Sequence, residues 1–211
     1  MSGFSRRTAL GMLAASPLLG ATGALAVPRQ DPTPGARLAA AARSQVGVTK
    51  GYDPSYRAIP YPNGDVLRST GVCADVLVRA ARDAWNLDLQ QRIHEDMTAA
   101  FDAYPSRRAW GLKRPDANID HRRVLNLETY LARQHALLAR AAAKAPGDRF
   151  DAPRPGDILT WRVWGGRPHI GVVTQGPDHV HVVHNIGWGA REEPLWMFKL
   201  HTAAGHYRWR A

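Results

Sequence analysis

The chain changes its periodicity at Pro155-Gly156, and that switch constrains the fold more than any other feature. Before it lie helix-type segments. Apolar residues at Val76, Leu77, Ala80, Ala81 and Ala84 have the spacing of a one-sided helix, which predicts a helix over 73–85 with Gly71 just before it. Strong helix formers over 38–46 stop at Gly47, and two further helices are expected over 93–103 and 124–145, the last ended by Pro146-Gly147. The stretches 48–70 and 104–120 read as loops, the first broken repeatedly by Pro and Gly. After the switch, residues 158–161, 170–174, 180–184 and 206–209 are short runs rich in β-branched or aromatic side chains. Turn chemistry at Gly165-Gly166 and over 175–178 separates them. Helices first and strands afterwards is the α+β order, with N-terminal helices packed on a C-terminal antiparallel sheet.

At the N-terminus, Arg6-Arg7 precede an uncharged run that closes with Ala24-Leu25-Ala26. This is similar to a twin-arginine export signal over 1–26, cleaved after Ala26. The run is Gly- and Ala-rich and weak as a permanent span, so no stable membrane span is expected after signal removal; the competing reading is a retained anchor. Residues 27–36 form a polar, Pro-rich tether, and 37–211 a single domain. A chain of 211 residues, 45% hydrophobic, is long enough for one well-buried core. The expected location is periplasmic or secreted. A net charge of +10 favours anionic partners. Export, and the lack of an aromatic-basic repeat, argue against nucleic acid and leave peptidoglycan or another anionic cell-wall polymer.

Cys73 is the single cysteine. In an exported protein such a thiol is inert in the core, paired to another chain, or kept for its chemistry. At a half-exposed helix start, unpaired N–H groups and the helix dipole favour the thiolate, and a site thiol should alkylate well below about pH 8.5, the ordinary cysteine value. Asp75 is either an ordinary first-turn acid or, close to the sulfur, an opponent of that thiolate. The candidate base is His169, at a strand start. A hairpin turning at Gly176-Pro177 sets it opposite His184, on an inner face shared with Val180 and Val182, and leaves Asn185 on the other face. One polar partner behind the base would fix its tautomer, as a Cys-His-X triad requires. A three-residue turn would put Asn185 in that place.

Asp120 is the expected N-cap of the 124–145 helix. Arg122 or Arg123 either clamps a substrate carboxylate or belongs to a solvated helix start paired with Glu128. His94-Glu95-x-Met97 lacks the second histidine of a zinc-peptidase helix, and His181 and His184 point to opposite faces of a strand. Neither a metal nor a cofactor is expected.

A cysteine at a helix start, then Pro155-Gly-Asp-Ile158, His169-Ile-Gly-Val-Val173 and a strand ending in His184, resembles the NlpC-type papain-like peptidases of bacterial cell walls over residues 37–186. Tyr61-Pro-Asn-Gly-Asp65, Gly71-Val-Cys-Ala-Asp75, Asn118-Ile-Asp-His-Arg-Arg-Val124 and His184-Asn-Ile-Gly187 resemble a family of exported bacterial proteins known as a domain of unknown function. The NlpC resemblance implies a papain-like fold and a cysteine hydrolase that cleaves an amide or peptide bond in peptidoglycan stem peptides. In it Cys73 attacks, His169 carries the proton and His184 orients it. Asp75, Arg122, Arg123 and Asn185 are the candidate substrate contacts. NlpC-type proteins usually carry Asp-Cys-Ser-Gly, whereas Val72 precedes Cys73 here and Ala74-Asp75 follow, so substrate-side contacts do not transfer. The alternative is a non-catalytic cell-wall- or partner-binding module on the same fold.

Overall fold

The computed structural model describes Met1 and residues 32–140 and 150–209, and the elements below belong to one unit that begins at Pro32. The expected export signal, Met1 apart, and the tether as far as Asp31 lie outside the described residues. The first helix, α1 (Pro34–Arg43), starts inside the expected tether. The Thr33 hydroxyl accepts from the Ala36 N–H, and Pro34 sits in the first turn, where its missing N–H is no loss.

Helix α2 (Cys73–Trp85) has the expected bounds. Helix α3 (Leu89–Ala99) begins earlier than expected because Asp88 caps it through the Gln90 N–H, and Phe101–Ala103 is a separate 3₁₀ turn. A short α4 (Ser106–Trp110) and a second 3₁₀ turn (Asp120–Arg122) occupy the expected loop. The expected 124–145 helix is cut short: α5 (Val124–Arg133) ends where His135 takes a φ of +56°, and the chain enters β3 (Leu137–Arg140). Its N-cap is Arg123 in extended backbone, not Asp120. The Pro146-Gly147 stop lies outside the described residues.

The 48–70 loop holds one short strand, β1 (Gly51–Tyr52), paired in parallel with β2 (Thr70–Gly71). Helix side chains fix the rest. Arg79, only 1% exposed, grips Asp65 through Nε and Nη2 and donates to the carbonyls of Val66, Leu67 and Thr70. Gln90 accepts from the Gly64 N–H and donates to the Pro60 and Ala117 carbonyls. Buried groups satisfied in this way order a loop that has almost no ladder of its own.

Strands β4 (Ile158–Val163), β5 (Arg167–Gln175), β6 (Val180–Asn185), β7 (Ala190–Pro194) and β8 (Thr202–Tyr207) join β3 in an antiparallel sheet of order β3-β8-β4-β5-β6-β7. Strand β7 and the 3₁₀ segment after it (Leu195–Leu200) were not expected. The assembly is a mixed α+β fold. Among the described residues no helix is long and apolar enough to cross a membrane.

The sheet is covered on both faces. Leu38 and Leu77 from α1 and α2 pack with Ile158, Ile170, Val172 and Val183 on one side. Leu159, Trp161, Val173 and Val182 pack with Phe198 of the 3₁₀ segment on the other. Each fully buried Val, Leu or Ile contributes about 1.5–3 kcal/mol, so a one-residue slip of any central strand is costly on both sides at once. The expected inner face is therefore corrected: Val183 meets the helices, whereas Val182 and His184 point towards Phe198.

Candidate functional site

Cys73 opens α2 but is not half-exposed; 5% of it is accessible. Burial pushes its thiol up to about 12, and the neighbouring Asp75 charge adds to the rise. The N–H groups of Ile170, Ala74 and Cys73 hydrogen-bond the sulfur and pull the other way without prevailing. The expected thiolate is thus a neutral thiol at rest. A cleft of about 240 Å³ reaches it, lined by Tyr52, Val72, Trp110, Arg123 and Pro168 among others.

His169 follows Pro168 at the start of β5. It stands across β4–β5 from Trp161, and its ring lies nearly parallel to Phe198 at 6.0 Å. The β5–β6 hairpin pairs Gln175 with Val180 and Val172 with Val183, so its loop is residues 176–179 and not a turn centred on Gly176-Pro177. One pair further, that register puts His184 beside Gly171 instead of His169. The parity is nevertheless as expected. Both imidazoles share a face, and His169 Nε2 meets His184 Nδ1 at 3.2 Å. Burial pushes His169 down to about 3 and lowers His184 as well, so both rings are neutral.

The thiol and the imidazole meet β5 at adjoining residues. Cys73 belongs to the helix-side cluster and takes the Ile170 N–H, while the His169 ring turns to the aromatic cluster. The β5–β6 ladder stops at Val172–Val183, which leaves the strand between the two groups unpaired with β6. Among the described hydrogen bonds none joins Cys73 Sγ to His169, and His169 Nδ1 takes part in none.

The expected substrate contacts divide. Asp75 is buried and accepts from the Val72 N–H at 2.6 Å and from Nε and Nη2 of Arg122, each at 2.9 Å. Arg122 also donates to the Asp53 and Ser55 carbonyls, so the ion pair is held within the fold. Asn185 is also held within the fold. Its Nδ2 donates to the carbonyls of Gly51 and Gly71 and its Oδ1 accepts from the Gly187 N–H, which ties β6 to the segment leading into Cys73. Arg122 and Arg123 both line the cleft, and Arg123 is the more accessible of the two, its guanidinium 4.2 Å above the Trp110 ring and paired with Asp120. Glu128 pairs with Arg162 rather than with Arg122 or Arg123.

Residues 39–209 match the family described as "Domain of unknown function (DUF1287)". The chain belongs to the DUF1287 family. It is 46% identical over 175 residues to "Uncharacterized protein YijF" of Escherichia coli (strain K12), covering 82% of this chain and 80% of that protein. The DUF1287 match takes in α2 and every strand of the large sheet, so the whole candidate site lies inside it.

One residue of the DUF1287 site escaped sequence reasoning. Glu193 Oε2 lies 2.9 Å from His184 Nε2, at the far end of the histidine pair. It sits in β7, whose Arg-Glu-Glu run has no apolar alternation to signal a strand. A polar residue one hairpin beyond His184 was the available clue.

Proposed function

We propose that this DUF1287 protein is an exported cysteine hydrolase on a papain-like fold of the NlpC type, cleaving an amide or peptide bond in peptidoglycan stem peptides. The observation that carries the reading is the chain of buried His169 and His184 and half-buried Glu193, set one residue along β5 from the N–H that holds the α2 thiol. Nucleophile, base and orienting partner are the parts such a reaction needs. Because thiol and imidazole are both neutral at rest, the reading calls for general-base catalysis and not a preformed ion pair.

In the first step the sulfur bonds to the carbonyl carbon while its proton passes to His169. The Cys73 N–H at the start of α2, with one further donor, holds the oxyanion. The amine departs with the proton from His169, leaving a thioester. Water then attacks that thioester, gives a proton through His169 to the sulfur, and releases the carboxylic acid. Arg123, at the cleft wall, is the candidate contact for a stem-peptide carboxylate. The partner is peptidoglycan or another anionic cell-wall polymer, and the location, periplasmic or secreted, is checked by cell fractionation.

Mass spectrometry of purified wall fragments incubated with the protein tests the reading. Cleavage by the wild type and none by Cys73→Ala supports it; cleavage by both sinks cysteine catalysis. A second reading, a non-catalytic wall-binding module, is favoured by the burial that pushes the Cys73 thiol up to about 12. It expects equal retention of wall fragments by both proteins and no change in their mass.

A further inference from the structure

The polar chain behind His169 does not end at His184. Glu193 pairs with Val182 across β6–β7, so its side chain lies on the same face as both imidazoles and reaches His184 Nε2. Its neighbour Glu192 faces the other way, bonded to Arg43 and Thr174, and does not compete.

A neutral imidazole carries one N–H and one lone pair, so two linked rings have two opposite settings that heavy-atom distances do not distinguish. The carboxylate distinguishes them, because it only accepts. Facing it, His184 must carry its proton on Nε2, and its Nδ1 is then a lone pair. That lone pair requires an N–H on His169 Nε2, which leaves His169 Nδ1 unprotonated. We propose that Glu193, acting through His184, is a positioning residue that sets His169 in the tautomer whose Nδ1 accepts the proton. The proposal rests on the hydrolase reading for its purpose but not for its geometry.

The surroundings of His184 keep the chain in this setting. Burial, with help from Arg191 opposite it in the β6–β7 ladder, keeps its pKa below the ordinary imidazole value despite Glu193. An imidazolium at His184 would instead donate from Nδ1 and reverse the chain. Phe198 lies edge-on to the ring at 4.8 Å and closes its remaining side with apolar surface. His169 Nδ1, in no described hydrogen bond, is the atom left for the thiol proton.

Nitrogen-15 NMR of the full chain, labelled at histidine and assigned with His169→Asn and His184→Asn, reads the tautomers without any substrate. The expected wild-type spectrum has protonated Nε2 and pyridine-type Nδ1 on both rings. In Glu193→Gln the carboxamide can accept or donate, so a second population with His169 Nδ1 protonated appears. A wild-type His169 protonated on Nδ1 overturns the proposal, and so does a Glu193→Gln spectrum unchanged from wild type. The wild-type spectrum carries the test even where the variant folds poorly. If the protein cleaves wall fragments, Glu193→Gln lowers kcat about ten- to a hundredfold with KM nearly unchanged, and a raised KM with unchanged kcat overturns the positioning role. Failure of the hydrolase reading is recorded separately, as no cleavage by the wild type.

Discussion

Both carboxylate oxygens of Asp75 accept from the Arg122 guanidinium, each at 2.9 Å, and one of them also holds the Val72 N–H. A single carboxylate thereby fastens the start of α2, with its thiol, to the 120–122 turn. Both side chains are 3% exposed, so removing either partner strands a buried charge. Arg122→Ala should therefore cost about 3–5 kcal/mol of stability, read as a fall in the urea midpoint. A substrate clamp would behave differently, with the midpoint kept and KM raised.

The thiol gives a second prediction. With its pKa at about 12, the thiolate fraction at pH 8 is about one in ten thousand, far below that of an ordinary cysteine. Iodoacetamide at pH 8 should label the native protein at least about a hundredfold more slowly than the urea-unfolded chain. This reverses the expectation from helix position alone, because desolvation outweighs the N–H groups at the helix start. Native labelling as fast as unfolded labelling would mean that the thiol opens to solvent far more often than its burial implies.

How much of this was legible in the sequence follows from where the signals lie. The spacing of apolar residues from Val76 to Ala84 located α2, but it did not show that the helix is buried on all sides from Cys73 to Ala81, with Asp75 and Arg79 inside. The parity that puts His169 and His184 on one face was legible, whereas the loop position was not, since Gly176-Pro177 and the residues around it permit several hairpins. The face itself was misjudged because the sheet is buried on both sides, and alternation marks an inner face only when the other is wet. Asp75 and Arg122, far apart in the chain, leave no periodic trace of their pairing. Strand β7 was invisible for the reason that it works as an edge: charged residues and a closing proline keep other strands off it.

Acid stability supplies a third prediction. Burial lowers His169 to about 3 and His121 to about 4. Below pH 6.5 the unfolded chain binds protons that these folded side chains refuse, so stability rises with pH through this window and is lost as pH falls. At pH 5 each group should cost roughly 2 kcal/mol relative to pH 7. Carboxylates held low, such as Asp157 and Asp96, add their loss only at lower pH, so the interval from 5 to 6.5 isolates the histidines. Melting temperature against pH should slope steeply there in the wild type and less in His169→Gln. Equal slopes would show that His169 takes up its proton within the fold.

The last prediction concerns Gly171, whose backbone is not in the left-handed region and whose role is steric. A Cβ built there runs into Val182 Cγ1 and comes within 3.1 Å of the Val183 carbonyl oxygen and 3.3 Å of the His184 Cβ. Val182 is fully buried against Trp161 and Phe198 and has nowhere to retreat, so β6 must move away from β5. That movement lengthens the contact between His169 and His184. Gly171→Ala should cost about 1–3 kcal/mol and, if wall peptides are cleaved, lower kcat with little change in KM. Adding Val182→Ala opens the space again. The double variant should regain most of the lost kcat while losing further stability through the cavity left beside Phe198. A double variant that stays as slow as Gly171→Ala would mean that the missing side chain serves a close approach of substrate to β5, and not the setting of the two imidazoles.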